Sequence, residues 1–317
     1  MPGAPTPNGP GHRSVQAPGP GPFVSRRSKV LVAGATGYLG GHVVRALHAA
    51  GHPIRALARN QARLGDVRPL CDEVFVGEAT KPETLRGVIG DARVVFSSIG
   101  KHDFKRRPSA LEVDRDANLN LLREAEAAGV EDFVFVSVLH GERLRAQGSK
   151  VAEAREAVVD ALKASRIPWT VLRPSGFFNE MRDLFRMAER GTGWLVGDGS
   201  FRMSPIHGAD LAAEVVRCID DPSARMKAFD VGGPDALTYR EILELAFQAL
   251  SKPPRLRSIS PGVMGAAAAV VAPFNPFIAD LMRAICRMVD LEAVAPPHGT
   301  HHLADFYREL AAARKAS

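Results

Sequence analysis

The chain has 317 residues, of which 45% are apolar, enough for one large domain with a sizeable core. Its formal charge is +6, yet Lys and Arg alternate with Asp and Glu, and the densest run, Lys105-Arg106-Arg107, is too short for a polybasic tract. No nucleic-acid partner is therefore expected, and the surplus of cations suits a polyanionic ligand. Cys71, Cys218 and Cys286 lie far apart with no metal-ligand spacing, which fits a reducing compartment, free thiols and a cytoplasmic location.

Residues 1–28 are rich in Pro, Gly and Ser and contain neither an acid nor an apolar run, so they are expected to form a disordered tail rather than a signal peptide. From Lys29 the pattern alternates. Apolar, β-rich runs at Lys29–Ala33, Ile54–Ala58, Glu73–Val76, Arg93–Ser97, Phe133–Ser137 and Trp169–Arg173 suit parallel strands covered on both faces. Helical spacing fills the gaps at Gly40–Ala50, Pro82–Ile89, Asp114–Ala128 and Ser149–Ser165. The last of these carries an apolar stripe of Val151, Ala154, Val158 and Leu162. Right-handed strand–helix–strand repetition predicts an α/β fold, a doubly wound parallel sheet of the Rossmann type.

After Arg173 the rhythm loosens. The turn-rich stretch Gly191–Ser204 predicts a loop or small hairpin, followed by a helix at Ala209–Asp220, a strand at Ala228–Val231 and a helix from Thr238. These late elements are expected to form a substrate-side extension of the same domain, starting near residue 175. The most hydrophobic stretch, Val263 to Ile278, contains Pro273 and Pro276 and is shorter than the ~20 residues that span a bilayer. It predicts a buried or interfacial helix pair and no integral membrane span.

The strongest local signal is Gly34-Ala35-Thr36-Gly37-Tyr38-Leu39-Gly40, placed between the first strand and the first helix. Glycines there let backbone approach a pyrophosphate, the helix N-terminus supplies N–H groups and partial positive charge, and Gly40 permits close helix–strand packing. At the end of the second strand, where an acidic residue would bind the ribose hydroxyls of NAD, stands Arg59, with Arg63 one turn on. A guanidinium there fits a 2′-phosphate, so NADP(H) is expected over NAD(H). By topology, Glu78 and Ala79 after the third strand would face the adenine, and Ser98, Ile99 and Gly100 after the fourth would pass the ribose and nicotinamide.

Together with Phe133-Val134-Phe135-Val136-Ser137-Val138, Lys150, Trp169-Thr170-Val171-Leu172-Arg173-Pro174, Ser204-Pro205-Ile206-His207 before Asp210-Leu211-Ala212, and Val231-Gly232-Gly233-Pro234 before Leu237-Thr238, the chain resembles an atypical short-chain dehydrogenase/reductase. The resemblance is to the NAD(P)H-binding, NmrA-like and divinyl-chlorophyllide-reductase-like group, and covers Lys29 to about Pro254. It implies a catalytic serine, Ser137, and a lysine, Lys150, that serves in catalysis or only holds the nicotinamide ribose. Family members place a tyrosine four residues before the lysine; here Ala146 occupies that position, and a methyl group has no proton to give.

His140, in the loop after Ser137, is the best spare proton donor, and His102 has a weaker claim of the same kind. The resemblance also puts the loop Pro174-Ser175-Gly176-Phe177-Phe178-Asn179 over the nicotinamide, with Pro174 and Phe177 against the cofactor and Phe177 and Phe178 walling a substrate pocket. Met181, Phe185 and Met187 extend an apolar pocket or belong to the core. His207 with Asp210 is expected to serve packing, and His301-His302 has no partner at ligand spacing, so no metal site is predicted. The functional expectation is an NADPH-dependent oxidoreductase that reduces a carbonyl or activated double bond on a small molecule. The alternative is a non-catalytic NADP(H)-binding redox sensor, or an accessory subunit with a protein partner in a larger or membrane-associated complex.

Overall fold

The computed structural model describes residues 27–101, 108–288 and 291–315. The expectations for the N-terminal tail up to residue 26, for His102 and for the run 105–107 lie outside these residues. In chain order the elements are β1 (Val30–Ala33), α1 (Tyr38–Ala49), β2 (Ile54–Ala58), β3 (Glu73–Val76), β4 (Val94–Ser97), α2 (Ala117–Ala128), β5 (Asp132–Val136), α3 (Gly141–Ala146), α4 (Lys150–Ala164) and β6 (Trp169–Pro174). There follow α5 (Phe178–Glu189), β7 (Gly193–Val196), β8 (Arg202–Met203), α6 (Gly208–Asp220), β9 (Lys227–Val231), β10 (Leu237–Thr238), α7 (Tyr239–Ala249), β11 (Leu256–Ile259), α8 (Pro261–Val271), α9 (Pro276–Met288) and α10 (Leu303–Lys315).

Seven parallel strands form one sheet in the order β3-β2-β1-β4-β5-β6-β9. The fold is the α/β Rossmann type that the alternation predicts. β1, β4 and β5 are buried along their whole length because helices cover both faces. One face carries a core of Val30, Val32, Val43, Leu47 and Val215 under α1 and α6. The other packs Leu31, Val95, Leu121, Val158 and Leu162 under α2 and α4. Between β1 and β4 the strand order reverses, which opens a crevice at their carboxyl ends.

Three details depart from the pattern of apolar residues. Where a helix is expected at Pro82–Ile89 only a 3-10 turn, Pro82–Thr84, forms, and α2 is entered through a π-helical stretch, Leu111–Asp116. The segment Gly191–Ser204 yields two strands that do not pair with each other: β7 runs parallel to β11, and β8 antiparallel to β10. Their partners come from more than thirty residues downstream, which local turn chemistry cannot announce. Beyond α5 the chain does not stay in its extension, since α6 and β9 return to the main sheet.

The remaining late elements build a third core around Phe178, Phe185, Phe247 and the fully buried Tyr307 of α10, whose hydroxyl donates to the Met181 carbonyl at 3.0 Å. Asp210, in the first turn of α6, fastens this C-terminal segment by accepting from the His301 backbone N–H at 3.1 Å and pairing with its Nδ1 at 2.7 Å. The expected helix pair appears as α8 and α9. Among the described residues no helix is long and apolar enough to cross a membrane.

Packing yields two stability predictions. A Cβ on Gly40 would lie 2.0 Å from the Gly34 carbonyl oxygen, whereas on Gly41 it would meet only the end of the Arg45 side chain at 3.4 Å. Gly40→Ala should therefore cost about 1–3 kcal/mol, while Gly41→Ala should be neutral or stabilise by about 0.5–1 kcal/mol, both read by denaturant unfolding. Equal effects would contradict the packing. His42 sits edge-on to Tyr38 and His207 and is held down at about 4 by burial, then by His207, Arg45 and His301; His207 is lowered by burial and then by His301, against the pull of Asp210 and Glu309. An imidazole that stays neutral in the fold but charges in the unfolded chain favours unfolding as pH falls from about 6.5 towards 4. The Tm should drop across that window and His42→Asn should make the drop shallower; an unchanged slope would contradict this origin.

Candidate dinucleotide site

The crevice is built from the loop after β1. Gly34 adopts φ +92°, where its missing Cβ would otherwise lie 2.8 Å from Ser98 Oγ of the loop after β4. The Gly37 N–H returns to the Gly34 carbonyl at 2.9 Å. Ala35 and Leu39 anchor the loop in the core, while Thr36 and Gly37 face solvent at the mouth. No side chain caps the N-terminus of α1 and no acid stands in its first turn, so its backbone N–H groups and dipole present positive potential towards the crevice. Tyr38 closes one side: its hydroxyl accepts the Gly208 N–H at 3.0 Å and its ring meets Phe177 edge-on at 6.1 Å.

The other predicted cofactor contacts line the same edge of the sheet. Arg59 follows β2, with a side chain 57% exposed and a guanidinium 3.8 Å from Glu78, whose carboxylate also accepts Thr80 Oγ1 at 3.2 Å. Ala79 is buried, and its carbonyl accepts Asn120 Nδ2 at 3.0 Å, which fixes the loop after β3. The Ser98 N–H donates to the Ala33 carbonyl at 3.1 Å, continuing the β1–β4 pairing. Asn118 on α2 bonds Ser97 Oγ at 2.6 Å and the Ile99 carbonyl at 3.3 Å, so it holds the Ser98–Gly100 backbone in shape.

Lys150 is exposed and paired with an acid of its own helix. It opens α4 with its side chain 66% exposed, and its ammonium bonds Glu153 at 2.7 Å, an interaction that raises its pKa. Ala146 closes α3, and Gly148 at φ +80° breaks the chain before α4, so Ala146 and Lys150 do not share a helix. A four-residue spacing therefore places them on no common face.

The cation that α4 sends to the crevice is Arg155. Its guanidinium donates to the Val136 carbonyl at 2.7 Å and pairs with buried Asp114 at 2.9 Å. It packs so closely beneath Gly100 that a Cβ there would lie 2.1 Å from Nη2. Burial pushes the Asp114 carboxyl above its usual range, and Arg155 opposes that shift. Four residues before Arg155 stands Val151, so this register supplies no tyrosine either. Sequence reasoning missed Arg155 and Asp114; the available signal was a charge within the phase of the Val151–Leu162 stripe.

Ser137 directly follows β5 and is buried, its Oγ donating to Glu156 at 2.7 Å; Glu156 is wholly buried and also accepts Arg173 at 2.9 Å. His140, at φ 55°, pairs through Nε2 with the Glu292 carbonyl at 2.9 Å. It lines an open polar depression of about 260 Å³ with Gly141, Glu142, Arg143, Arg173 and Asp230. Pro174 is buried at the end of β6, and Phe177 bridges to Ile206 while packing on the first core. Phe178 is 1% exposed and packs against His207 and Phe306, so its ring belongs to the third core rather than to a pocket wall. Met181 and Phe185 are buried there too, with Met187 partly buried against them. His207 caps α6 through Nδ1 and stacks on His301 at 4.3 Å.

A family model described as NAD(P)H-binding matches residues 34–222, from the glycine loop to the end of α6. The chain is 31% identical over 75% of its length to the chloroplastic divinyl chlorophyllide a 8-vinyl-reductase of Oryza sativa subsp. indica, spanning 62% of that protein. It is 30% identical to the ceramide reductase of Caulobacter vibrioides, with 78% of each chain covered. It is also 27% identical to the photosystem II assembly factor Ycf39 of Trieres chinensis, over 73% of this chain and 72% of that one. Among solved structures, the triphenylmethane reductase of Citrobacter sp. complexed with NADP(H) shares the fold at a TM-score of 0.70 and 19% identity, covering 90% of this chain and 99% of the other. The chain belongs to the NAD(P)H-binding family, within the atypical short-chain dehydrogenases/reductases.

Proposed function

We propose that the protein is an NADPH-dependent oxidoreductase that reduces a carbonyl or an activated double bond of an apolar small molecule. The observation that carries this reading is the backbone cradle of Gly34–Gly40, packed against Ser98–Gly100 and backed by the Arg155 guanidinium. When bound, the dinucleotide supplies hydride. The α1 N-terminus would hold its pyrophosphate, and Glu78 and Ala79 would border the adenine. Arg59 would pair with the 2′-phosphate, exchanging its long contact with Glu78 for a stronger charge-assisted one. Ser98, Ile99, Gly100, Pro174 and Phe177 would border the nicotinamide end.

Reduction places negative charge on the substrate oxygen or its conjugated group, and a fixed cation stabilises that charge in a water-poor cleft. Arg155 fills this role better than Lys150, because its guanidinium is oriented by Val136 at the end of β5 and by Asp114 in the π-helical stretch before α2. Ser137 acts as a positioning residue through Glu156 and Arg173. The proton comes from solvent or from His140 at the edge of its open depression. The relatives named as reductases of divinyl chlorophyllide and of ceramide support an apolar substrate.

A second reading, a non-catalytic NADP(H)-binding subunit, is favoured by one observation: neither Ala146 nor Val151 offers a phenol, and Ser137 is committed to Glu156. A relative named as an assembly factor supports it.

Two mutational tests follow. Arg59→Ala should weaken NADPH binding by about tenfold to a hundredfold, the worth of one charge-assisted bond, and leave NADH binding unchanged in calorimetry. Equal losses for both would remove the 2′-phosphate assignment. In NADPH-oxidation assays over a panel of ketones, enones and quinones, Arg155→Lys should lower kcat about tenfold or more, while Lys150→Ala stays near wild type. The reverse ranking would return the catalytic role to Lys150, and tight NADPH binding with no turnover across the panel would favour the second reading.

A further inference from the structure

Helices α8 and α9 form an antiparallel hairpin at the edge of the extension, and its outer surface is apolar. Residues 258–279 contain no ionisable side chain. Within α8 only Ala268 is buried, and Met264 reaches back to the third core. The outward residues include Val263 at 63% exposure, Val270 at 70%, and Phe274 at 76% in the turn between the helices. The hairpin is a built element. Ser260 Oγ caps α8 by accepting the Val263 N–H at 3.3 Å, Asn275 Oδ1 accepts the Ile278 N–H at 3.2 Å, and Cys286 Sγ donates to the Pro261 carbonyl at 3.6 Å.

Charge returns on either side of this stretch and is mainly positive. Arg255 and Arg257 are exposed on and beside β11, the strand that leads into α8, and Arg283 lies on α9, whose acid is Asp280. Arg257 lies 5.8 Å over the ring of Trp194, which is 40% exposed on the neighbouring strand β7. Arginines and an indole thus flank the entry to the charge-free α8, and Phe274 stands at its far end.

We propose that this hairpin seats the protein on an anionic lipid surface. The tip offers no directional recognition: its polar side chains Ser260 and Asn275 are spent on helix caps, and what it exposes among the described side chains is aliphatic groups and the Phe274 ring. Such a surface fits acyl chains, which make no hydrogen bonds, and the set-back arginines fall at headgroup level, where phosphates lie. Trp194 under Arg257 is the amphipathic pair that an interface accommodates. At about 1.5 Å per residue α8 is too short to cross the bilayer, so the hairpin dips into one leaflet and does not span.

The test is co-sedimentation of the full chain with vesicles of phosphatidylcholine alone or mixed with phosphatidylglycerol, at low and high salt. Wild type should pellet with the mixed vesicles, at least tenfold more tightly than with neutral ones, and should be released by salt. Val270→Asp with Phe274→Asp should abolish pelleting while leaving the Tm and NADPH binding unchanged, since both side chains already face solvent. Arg257→Ala should cost about fivefold on anionic vesicles, the weight of one basic residue near the surface. The proposal is overturned if wild type fails to pellet, or if the double variant pellets like wild type. It is also overturned if the double variant only converts a solution dimer into a monomer without a change in lipid binding, which would make this face an interface between protein chains.

Discussion

Where a Cβ of residue 40 would stand, the Gly34 carbonyl oxygen already lies 2.0 Å away. This contact draws the first turn of α1 onto the end of β1 and leaves the loop between them as bare backbone. The crevice depends on it, because a side chain at Gly40 would push the helix off the strand, and one at Gly34 would push back Ser98 of the β4 loop. With the helix seated, its uncapped N-terminus faces the gap between β1 and β4, and Ser98 of the β4 loop closes against Gly34. Tyr38 then reaches Gly208, tying the loop to α6, which packs beside α1 on the same face of the sheet.

A second constraint acts on the other side of the crevice. Arg155 with Asp114 and Arg173 with Glu156 are ion pairs buried at the carboxyl ends of β4, β5 and β6. Pairs of this kind are poor sources of stability, since desolvation offsets most of their attraction. What they supply is orientation: each guanidinium has one place to be, and each removes freedom from a strand end that borders the dinucleotide crevice. Gly100 and Gly141 show how tightly they are housed, because a Cβ at either would overlap the paired side chains.

The sheet was legible because its strands are buried on both faces and so appear as uninterrupted apolar runs; β2 and β3 match the runs Ile54–Ala58 and Glu73–Val76 residue for residue. The glycine loop was legible for a related reason, since its backbone requirement can be met by few residue types. Side-chain roles were less so. Counting four residues from Lys150 to Ala146 assumes one continuous helix, and Gly148 breaks it. Helix phase, not spacing along the chain, decides which cation reaches the strand ends, and phase favours Arg155. Phe177 and Phe178 are adjacent in sequence but diverge at the start of α5, one towards Tyr38 and the other into the third core. The partners of β7 and β8 depend on distant segments and carried no local signal.

The chain is similar both to proteins named as reductases and to one named as an assembly factor, and its own match to the NAD(P)H-binding family covers the crevice. In this chain the Gly34–Gly40 backbone lies against Ser98, and the Arg155–Asp114 and Arg173–Glu156 ion pairs lie at the neighbouring strand ends. The most direct test of the account is a crystal structure of the protein with NADPH. The pyrophosphate should lie over the Gly34–Gly40 amides, the 2′-phosphate on Arg59, and the nicotinamide end against Ser98–Gly100 beside Arg155, with Lys150 out of contact. A dinucleotide bound elsewhere, or one whose nicotinamide ribose is held by Lys150 with Arg155 remote, would contradict it.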